Sequence, residues 1–385
     1  MHFFQSLKKV HKNRFHRDGT PYQAPGRVNL IGEHTDTSEG YVMPAALDLR
    51  TVSIISPRTD SIANIYSKNF QEQIHFDLRE LPSAPRHHWS DYPAGVLWSL
   101  QQHGIHCGGF DMTLDGNVPI GAGLSSSASL EVAMTVAILA QENLNLRKRE
   151  IAKLCQFAEN RFIGAQSGIM DPLTSCYGVK GHAILLDCRS LEFETLPLPE
   201  EVVLVICNSM VKHSLSDGGE YNTRRAEVEE GVRILRNDYP EARTLRDISE
   251  EQLGAVAHQM PGNIFRRCLH VISEDCRVLE AAEALRRQDF VDFGRLMLWA
   301  HASMRDNYEA SCAETDLLVN LAMKQPGCYG ARITGGGFGG CTVNLVAAEH
   351  AQQFTDSIDA EYNRATGIQA EIYQSRASDG AGPLE

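Results

Sequence analysis

The stretch with the clearest chemical signature runs from Pro119 to Ser129 and reads P-I-G-A-G-L-S-S-S-A-S. It follows an alternating run, 110–115, that predicts a half-buried strand, and it precedes an apolar run, 128–144, that predicts a buried helix. Glycines let backbone N–H groups approach a ligand, and the start of a helix favours negative charge. The serine hydroxyls can cap the helix, contact phosphate oxygens or reach a magnesium ion. The stretch therefore indicates a phosphate site, with a serine-capped glycine turn as the structural alternative.

A second polar stretch, from Ala24 to Asp36, crowds a guanidinium, an imidazole and two carboxylates beside apolar residues. Gly32 interrupts the strand pattern and predicts a loop that displays the polar residues after it. Carboxylates accept hydrogen bonds from paired hydroxyl groups, so this loop is suited to binding a polyol. A cluster of surface salt bridges in a turn is the structural alternative.

Two carboxylates farther along the chain are candidates for chemistry. Glu159 lies among apolar positions at helical spacing, so it requires a partner, either an arginine such as Arg147 or Arg161, or a cation. Asp171 follows a glycine turn in S-G-I-M-D-P, and Pro172 predicts that its backbone stands outside helical angles. Taken alone, I-M-D-P would indicate a turn capped by an aspartate.

Two more features lie in the second half of the sequence. Tyr221 opens a charged helical pattern, where it either borders a site or packs on the surface. The stretch 335–340 has five glycines in six positions, which lets two backbones approach a ligand or one another. The region 245–322 has an almost entirely helical pattern.

Composition limits the kinds of protein this can be. The net charge of −13 over 385 residues argues against general binding to nucleic acids or anionic membranes. No run of 18 apolar residues occurs, and the first segment has too short an apolar run for a signal peptide. The ten cysteines include no C-x-x-C pair and indicate reduced thiols. We therefore expect a cytoplasmic protein, a monomer or weak homodimer, whose partners are small molecules. A charged loop over 188–201 is predicted to separate two halves, and the tail 378–385 is predicted to be loose.

The motifs resemble those of the GHMP small-molecule kinases, in the same order. P-x-G-x-G-L-S-S-S-A resembles their phosphate loop, and the glycines of 335–340 resemble their third motif. G-R-x-N-L-I-G-E-H-T-D resembles the signature of the galactokinase family, and G-I-M-D and Y-N-x-R-R resemble two further galactokinase segments. The resemblance extends from Ala24 to Tyr373.

This resemblance implies an α+β, two-lobed GHMP kinase fold. It consists of a ribosomal protein S5 domain 2-like N-terminal lobe and a ferredoxin-like C-terminal lobe, with the active site in the cleft between them. The lobes are expected at 1–195 and 196–385. The implied reaction is phosphorylation of the anomeric hydroxyl of galactose by ATP with Mg²⁺.

The resemblance also implies roles for individual residues. Asp171 is expected as the catalytic base, with Arg27 beside the reacting hydroxyl. The residues expected to bind the sugar are Glu33, His34, Asp36, Gly168 and Tyr221. Those expected to bind the nucleotide are Pro119, Gly121, Ala122, Gly123, Leu124, Ser125, Ser126, Ser127 and Ala128. Those expected to bind magnesium are Ser127 and Glu159.

The sequence departs from the family pattern near the sugar-binding signature. Thr37 and Ser38 stand where the family usually has Tyr-Asn, and Pro172 replaces a glutamine. The sugar therefore stays open to another hexose, an amino sugar or a pentose. A non-catalytic sugar sensor would lose the base or the metal ligand, and since both are present the sequence favours an enzyme.

Overall fold

The computed structural model describes residues 2–212 and 219–384. The helices are α1 (His2–Phe15), α2 (Asp91–Gln102), α3 (Ser126–Gln141), α4 (Lys148–Phe157), α5 (Met170–Tyr177), α6 (Gly219–Leu235), α7 (Glu250–Ala255), α8 (Gly262–Arg286), α9 (Phe290–Ser303), α10 (Ala313–Ala322) and α11 (Ala351–Thr366). The strands are β1 (Thr20–Asn29), β2 (Tyr41–Val42), β3 (Pro44–Pro57), β4 (Ile62–Ser67), β5 (Glu72–Asp77), β6 (Phe110–Gly116), β7 (His182–Asp187), β8 (Phe193–Pro197), β9 (Val202–Lys212), β10 (Cys328–Thr334), β11 (Gly339–Ala347), β12 (Glu371–Ser375) and β13 (Gly382–Pro383).

The first sheet has the strand order β13-β1-β3-β6-β4-β5 and is antiparallel except between β4 and β6. Helix α1 covers one face, where the His11 ring hydrogen-bonds to the Thr113 hydroxyl. Helix α3 covers the other face, where the Ser53 hydroxyl donates to the carbonyl of Ala133 at 2.8 Å. The strand predicted over 110–115 is β6. Because helices cover both faces of the sheet, β6 is almost wholly buried rather than half-buried.

The second sheet is antiparallel, in the order β10-β11-β9-β12. Alternate residues of β9 belong to different cores. Leu204 and Ile206 pack with the apolar residues of α8 and α9, whereas Val203 and Val205 pack with those of α10 and α11. The helical region predicted over 245–322 contains α7 to α10. Helices therefore cover this sheet on both faces as well.

A third sheet, β2-β7-β8, joins the sugar-signature region to the middle of the chain. The prediction of a loop over 188–201 is wrong, because β8 lies within it and pairs with β7. Charged residues in this segment obscured the strand, which is exposed along much of its length. The division into lobes at 195 stays a prediction.

The tail predicted to be loose is ordered instead. Strand β13 pairs with the edge strand β1, placing Pro383 opposite Tyr22. The N–H of Leu384 then donates to the carbonyl of Pro21 at 3.0 Å. The tail satisfies backbone groups that would otherwise be open at the edge of the sheet.

None of the helices within 2–212 and 219–384 combines the length and apolar character needed to cross a membrane. All ten cysteines are free thiols, most of them buried or partly buried.

Candidate active site

A cavity of about 560 Å³ opens where the ends of β1, α5 and α6 meet the second glycine-rich loop. It brings together the predicted base, its arginine and every predicted sugar-binding residue. These lining residues are Arg27, Glu33, His34, Asp36, Gly168, Asp171 and Tyr221. Residues from opposite ends of the sequence thus share one polar site of a size suited to a small molecule.

Asp171 is held by both of its carboxylate oxygens. Arg27 donates a hydrogen bond from Nε to Oδ1 at 2.7 Å, and its Nη2 lies 2.6 Å from the same oxygen in an ion pair. The hydroxyl of Ser125 donates to Oδ2 at 2.6 Å. The prediction that Pro172 keeps Asp171 out of helical conformation is wrong, since both residues lie in the first turn of α5. A proline is tolerated there because the first N–H groups of a helix have no intrahelical acceptor.

Glu33 points from the sugar-signature loop toward the second glycine-rich loop. Its Oε1 accepts hydrogen bonds from the N–H of Gly335 at 2.8 Å and the hydroxyl of Thr334 at 3.1 Å. The buried guanidinium of Arg332 lies 3.6 Å from the same oxygen. Burial raises the pKa of Glu33, and Arg332 opposes that shift. These contacts hold the Glu33 carboxylate in place in the wall of the cavity.

His34 lies in an aromatic cluster. Its ring stacks on Tyr308 at 4.2 Å between centroids, and the ring of Tyr221 lies 5.6 Å away. Burial, reinforced by the neighbouring His270, lowers the pKa of His34 to about 3. The imidazole is therefore neutral at physiological pH. Its Nε2 is buried and has no hydrogen-bond partner in the part of the chain that the structure describes, which leaves it available to a ligand.

Asp36 and Gly168 lie against each other in the wall of the cavity. A Cβ added to Gly168 would collide with the carboxylate of Asp36, so the close approach requires glycine. Burial raises the pKa of Asp36 to about 6, with a further contribution from the negative charge of Asp171. Burial also raises the pKa of Tyr221. The tyrosine therefore lines the cavity as a neutral phenol rather than packing on the outer surface.

The predicted phosphate loop connects β6 to α3 and is held in unusual backbone conformations. Gly121, Gly123 and Ser125 have φ angles of 74°, 80° and 59°. Ser125 makes no side-chain cap to the helix, because its hydroxyl binds Asp171 instead. Ala122, Leu124 and Ala128 are buried and anchor the loop. Pro119, Gly121, Ser126 and Ser127 retain exposed surface.

The two glycine-rich loops pack on one another. A Cβ on Gly335 would lie 3.1 Å from the carbonyl oxygen of Gly123, and one on Gly340 would lie 3.4 Å from that of Ala122. Arg27 of β1 also binds the phosphate loop, because its Nη1 donates to the carbonyl of Gly123 at 2.7 Å. The glycines thus bring the two backbones close to one another, and Gly335 and Gly336 also line the cavity.

Glu159 is buried in a π-helical turn, Ala158–Ile163, that continues α4. Its Oε2 accepts a hydrogen bond from Ser167 at 2.6 Å. Burial raises its pKa, while hydrogen bonds from Ser167 and Ser127 oppose the shift. Of the two arginines suggested as partners, Arg147 and Arg161, Arg147 pairs with Glu150 instead.

This donor set fits magnesium, which takes hydroxyl and carboxylate oxygens from one or two protein groups and leaves other positions to phosphates and water. In the described part of the chain, no group of three or more His, Cys, Asp or Glu side chains is arranged to hold a metal. Ser127 and Glu159 therefore form a sparse, oxygen-only site of the kind expected beside a nucleotide.

Thr37 and Ser38, where the sequence departs from the family pattern, line a separate cavity of about 220 Å³. Neither is among the described residues that line the larger cavity. The altered positions thus lie behind the sugar-signature loop rather than in the cavity beside Asp171.

Three family models match the chain. They are the GHMP kinases N terminal domain at 91–179, the galactokinase galactose-binding signature at 9–57, and the GHMP kinases C terminal domain at 281–364. The galactokinase of Roseiflexus sp. (strain RS-1) is 44% identical over 360 residues, covering 94% of this chain and 92% of that protein. This chain belongs to the galactokinase family. The galactokinase of Chloroflexus aurantiacus is also 44% identical, over 90% of this chain and 88% of its own length.

Solved structures agree with this membership in the galactokinase family. Lactococcus lactis galactokinase, crystallised in complex with galactose, has a TM-score of 0.95 and 33% identity, over 99% of this chain and 100% of that one. Methanococcus jannaschii mevalonate kinase has a TM-score of 0.67 at 20% identity, over 94% and 99% of the two chains. That more distant likeness shows only that the fold is shared. The two-lobed GHMP kinase fold and the assignment as a sugar kinase are confirmed.

Sequence reasoning missed several contacts and residues of this site. Ser125 was expected only at the nucleotide, although it binds Asp171. Ser167 contacts Glu159, and Arg332 lies beside Glu33. Tyr92 also lines the cavity. The G-x-x-S-G spacing around Ser167 was the one available hint, because a serine flanked by glycines suits a loop that closes over a site.

Proposed function

We propose that this protein transfers the γ-phosphoryl group of ATP to the anomeric hydroxyl of galactose, giving galactose 1-phosphate and ADP. The observation that carries the proposal is that Asp171 hydrogen-bonds to Ser125 of the phosphate loop while lining the same cavity as Glu33, His34 and Asp36. A group that contacts the phosphate loop and faces a polyol site is positioned to act between two substrates.

Within the cavity, carboxylates and a neutral imidazole bind the sugar. Asp36 and Glu33 accept hydrogen bonds from hydroxyl groups, and the unpartnered Nε2 of His34 bonds to another. Buried polar groups that are satisfied only by the correct hydroxyls discriminate strongly against sugars that lack them. This arrangement favours a hexose whose hydroxyls match all three groups.

Asp171 receives the proton of the anomeric hydroxyl as that oxygen bonds to phosphorus and ADP departs. Arg27 holds the carboxylate in place and provides positive charge beside the reacting oxygen. The N–H groups around Gly121 and Gly123, freed by their positive φ angles, bind phosphate oxygens. Magnesium, held by Ser127 and Glu159, would neutralise charge on the β- and γ-phosphates. Positioning and electrostatics supply most of the rate increase in such reactions.

We further propose that the lobes divide at 195/196, that the protein works as a monomer or weak homodimer, and that it acts in the cytoplasm. A net charge of −13 and ten free thiols support an intracellular small-molecule enzyme.

The test is a coupled ADP-release assay with Mg²⁺ across galactose, glucose, galactosamine, talose and arabinose. Galactose is expected to give the highest kcat/KM, with galactose 1-phosphate as the product by NMR. Turnover of another sugar with galactose inactive would reject the substrate. The Asp171→Asn variant serves as the control for contaminating ATPase activity.

A further inference from the structure

Glu131 in α3 is a buried carboxyl group without a hydrogen-bond partner. Its exposure is 0%, and neither side-chain oxygen is satisfied by any described part of the chain. Glu33, Glu159 and Glu274 are buried as well, yet each accepts at least one hydrogen bond. Burying a carboxyl group without a hydrogen-bond partner is costly, so we expect a ligand to supply the partner that Glu131 lacks.

The place of Glu131 in the fold suggests what that ligand is. It follows Ser127 by one helical turn, so the two side chains lie on the same face of α3. Helix α3 packs against α4, which continues into the turn that carries Glu159. Burial raises the pKa of Glu131, and the nearby charge of Glu159 raises it further. The Glu131 carboxyl group is therefore a neighbour of Glu159, one of the two predicted magnesium ligands.

Tyr92 connects this pair to the cavity. Its ring lines the cavity wall, and both Glu159 and Glu131 act electrostatically on its phenol. Burial, with these two charges in support, raises the pKa of Tyr92 to about 12. The Glu131 carboxyl group is thus near enough to the cavity wall to act on the phenol of Tyr92.

We propose that Glu131 is a positioning residue for the magnesium site, and that binding of the ion brings a water molecule of its hydration shell into hydrogen-bond distance of the buried Glu131 carboxyl group. The inference rests on the proposed roles of Ser127 and Glu159. Magnesium usually retains several of its waters in proteins, and these waters need protein partners. Residues that hold such outer contacts typically change metal affinity by about 10- to 100-fold when removed.

Three variants of α3 separate this role from a purely structural one. Glu131→Leu keeps the volume and removes the hydrogen-bonding group, whereas Glu131→Gln keeps a group that can bond to water. Thr135→Val is the matched control, because Thr135 is buried one turn farther along, and its hydroxyl bonds back to the Glu131 carbonyl and contacts the Cys155 thiol without touching the Glu131 carboxyl group. For each variant, electron paramagnetic resonance is used to measure the affinity of the enzyme–ADP complex for Mn²⁺.

Glu131→Leu is expected to weaken Mn²⁺ binding by about tenfold or more, with ADP affinity in the absence of metal unchanged. Glu131→Gln is expected to stay within about threefold of the unmodified protein, and Thr135→Val to match it. Unchanged Mn²⁺ affinity in Glu131→Leu, with a higher melting temperature, would identify Glu131 as an unpartnered structural acid and overturn the proposal.

Glu159→Gln distinguishes failure of this inference from failure of the proposed function. If Glu159→Gln leaves Mn²⁺ affinity unchanged, the metal site itself is wrong; if it weakens binding while Glu131→Leu does not, only the role of Glu131 is wrong. If Glu131→Leu does not fold, the proposal is tested instead by a crystal structure of the unmodified protein with Mn²⁺ and a non-hydrolysable ATP analogue. A Glu131 oxygen about 3 Å from a metal-bound water supports the proposal, and its absence rejects it.

Discussion

Arg27 binds a single oxygen of Asp171 with two nitrogens, Nε at 2.7 Å and Nη2 at 2.6 Å from Oδ1. Its remaining nitrogen, Nη1, donates to the carbonyl of Gly123 in the phosphate loop. One arginine therefore ties the predicted base to the structure predicted to hold the triphosphate. Because Ser125 of the same loop binds the other Asp171 oxygen, the carboxylate and the loop form one rigid unit.

Replacing Asp171 by asparagine removes the proton acceptor and preserves the size of the side chain. We expect kcat to fall by about 10²- to 10⁴-fold. The galactose dissociation constant, measured by calorimetry, is expected to change little because the hydroxyl-binding groups remain. Asp171→Ala checks that the asparagine amide does not itself disturb Arg27. Turnover near that of the unmodified protein in both variants would exclude the role as a base.

Ser125→Ala tests whether its hydroxyl acts through Asp171. Loss of a hydrogen bond to a charged group costs about 1.5–3 kcal/mol, so kcat is expected to fall by about tenfold or more. In the background of Asp171→Asn, the same change is expected to have little further effect, because the acceptor charge is already gone. Equal, additive losses in the two backgrounds would show that Ser125 serves the nucleotide alone.

The contact between Ser125 and Asp171 is an example of a feature that could not be predicted from the sequence. Each residue belonged to a recognisable local motif, but 46 positions separate them, and no local pattern couples the two. The same holds for Glu33 and Gly335, which lie 302 positions apart. Strands, helices and glycine turns could be predicted because propensity and periodicity are local properties. Side-chain contacts between distant parts of the sequence depend on how these elements pack together in the folded chain.

The wrong predictions have a similar origin. A proline disfavours helical backbone angles in the residue before it. In the first turn of α5, however, the N–H that Pro172 lacks would have no intrahelical acceptor, so no helix hydrogen bond is lost. The tail was predicted to be loose from its small polar residues, yet it pairs with the edge strand β1, whose need for a partner is a property of the whole sheet.

The pKa of Asp36 predicts how sugar binding depends on pH. Since burial and Asp171 raise that pKa to about 6, Asp36 becomes protonated as the pH falls below 6. A neutral carboxyl is a weaker acceptor, so we expect the KM for galactose to rise by up to about tenfold per pH unit below that value. His34, with a pKa of about 3, stays neutral across this range. Asp36→Asn should raise the KM for galactose and make that KM depend less on pH. An unchanged pH dependence of KM in Asp36→Asn would indicate that Glu33 is the titrating group.

The same raised pKa has the opposite consequence for the stability of the free protein. A carboxyl whose pKa is higher in the folded state than its usual 3.8 favours folding at low pH. This stabilisation is lost as the pH rises through about 4 to 6. Asp36→Asn is therefore expected to raise the melting temperature at pH 7.5 and to have little effect at pH 4. A lower melting temperature at pH 7.5 would show that the ionised carboxylate has a stabilising partner.

Gly335→Ala tests the packing of the two glycine-rich loops, and Gly367→Ala is its matched control. Both glycines have positive φ angles, 85° and 74°, so both variants incur backbone strain of about 1–2 kcal/mol. An added Cβ meets no atom within 4 Å at Gly367, whereas at Gly335 it lies 3.1 Å from the carbonyl oxygen of Gly123. Gly335→Ala is therefore expected to lower the melting temperature more than the control does and to raise the KM for ATP severalfold. Equal melting temperatures and an unchanged KM for ATP would mean that the phosphate loop does not depend on this contact for its position.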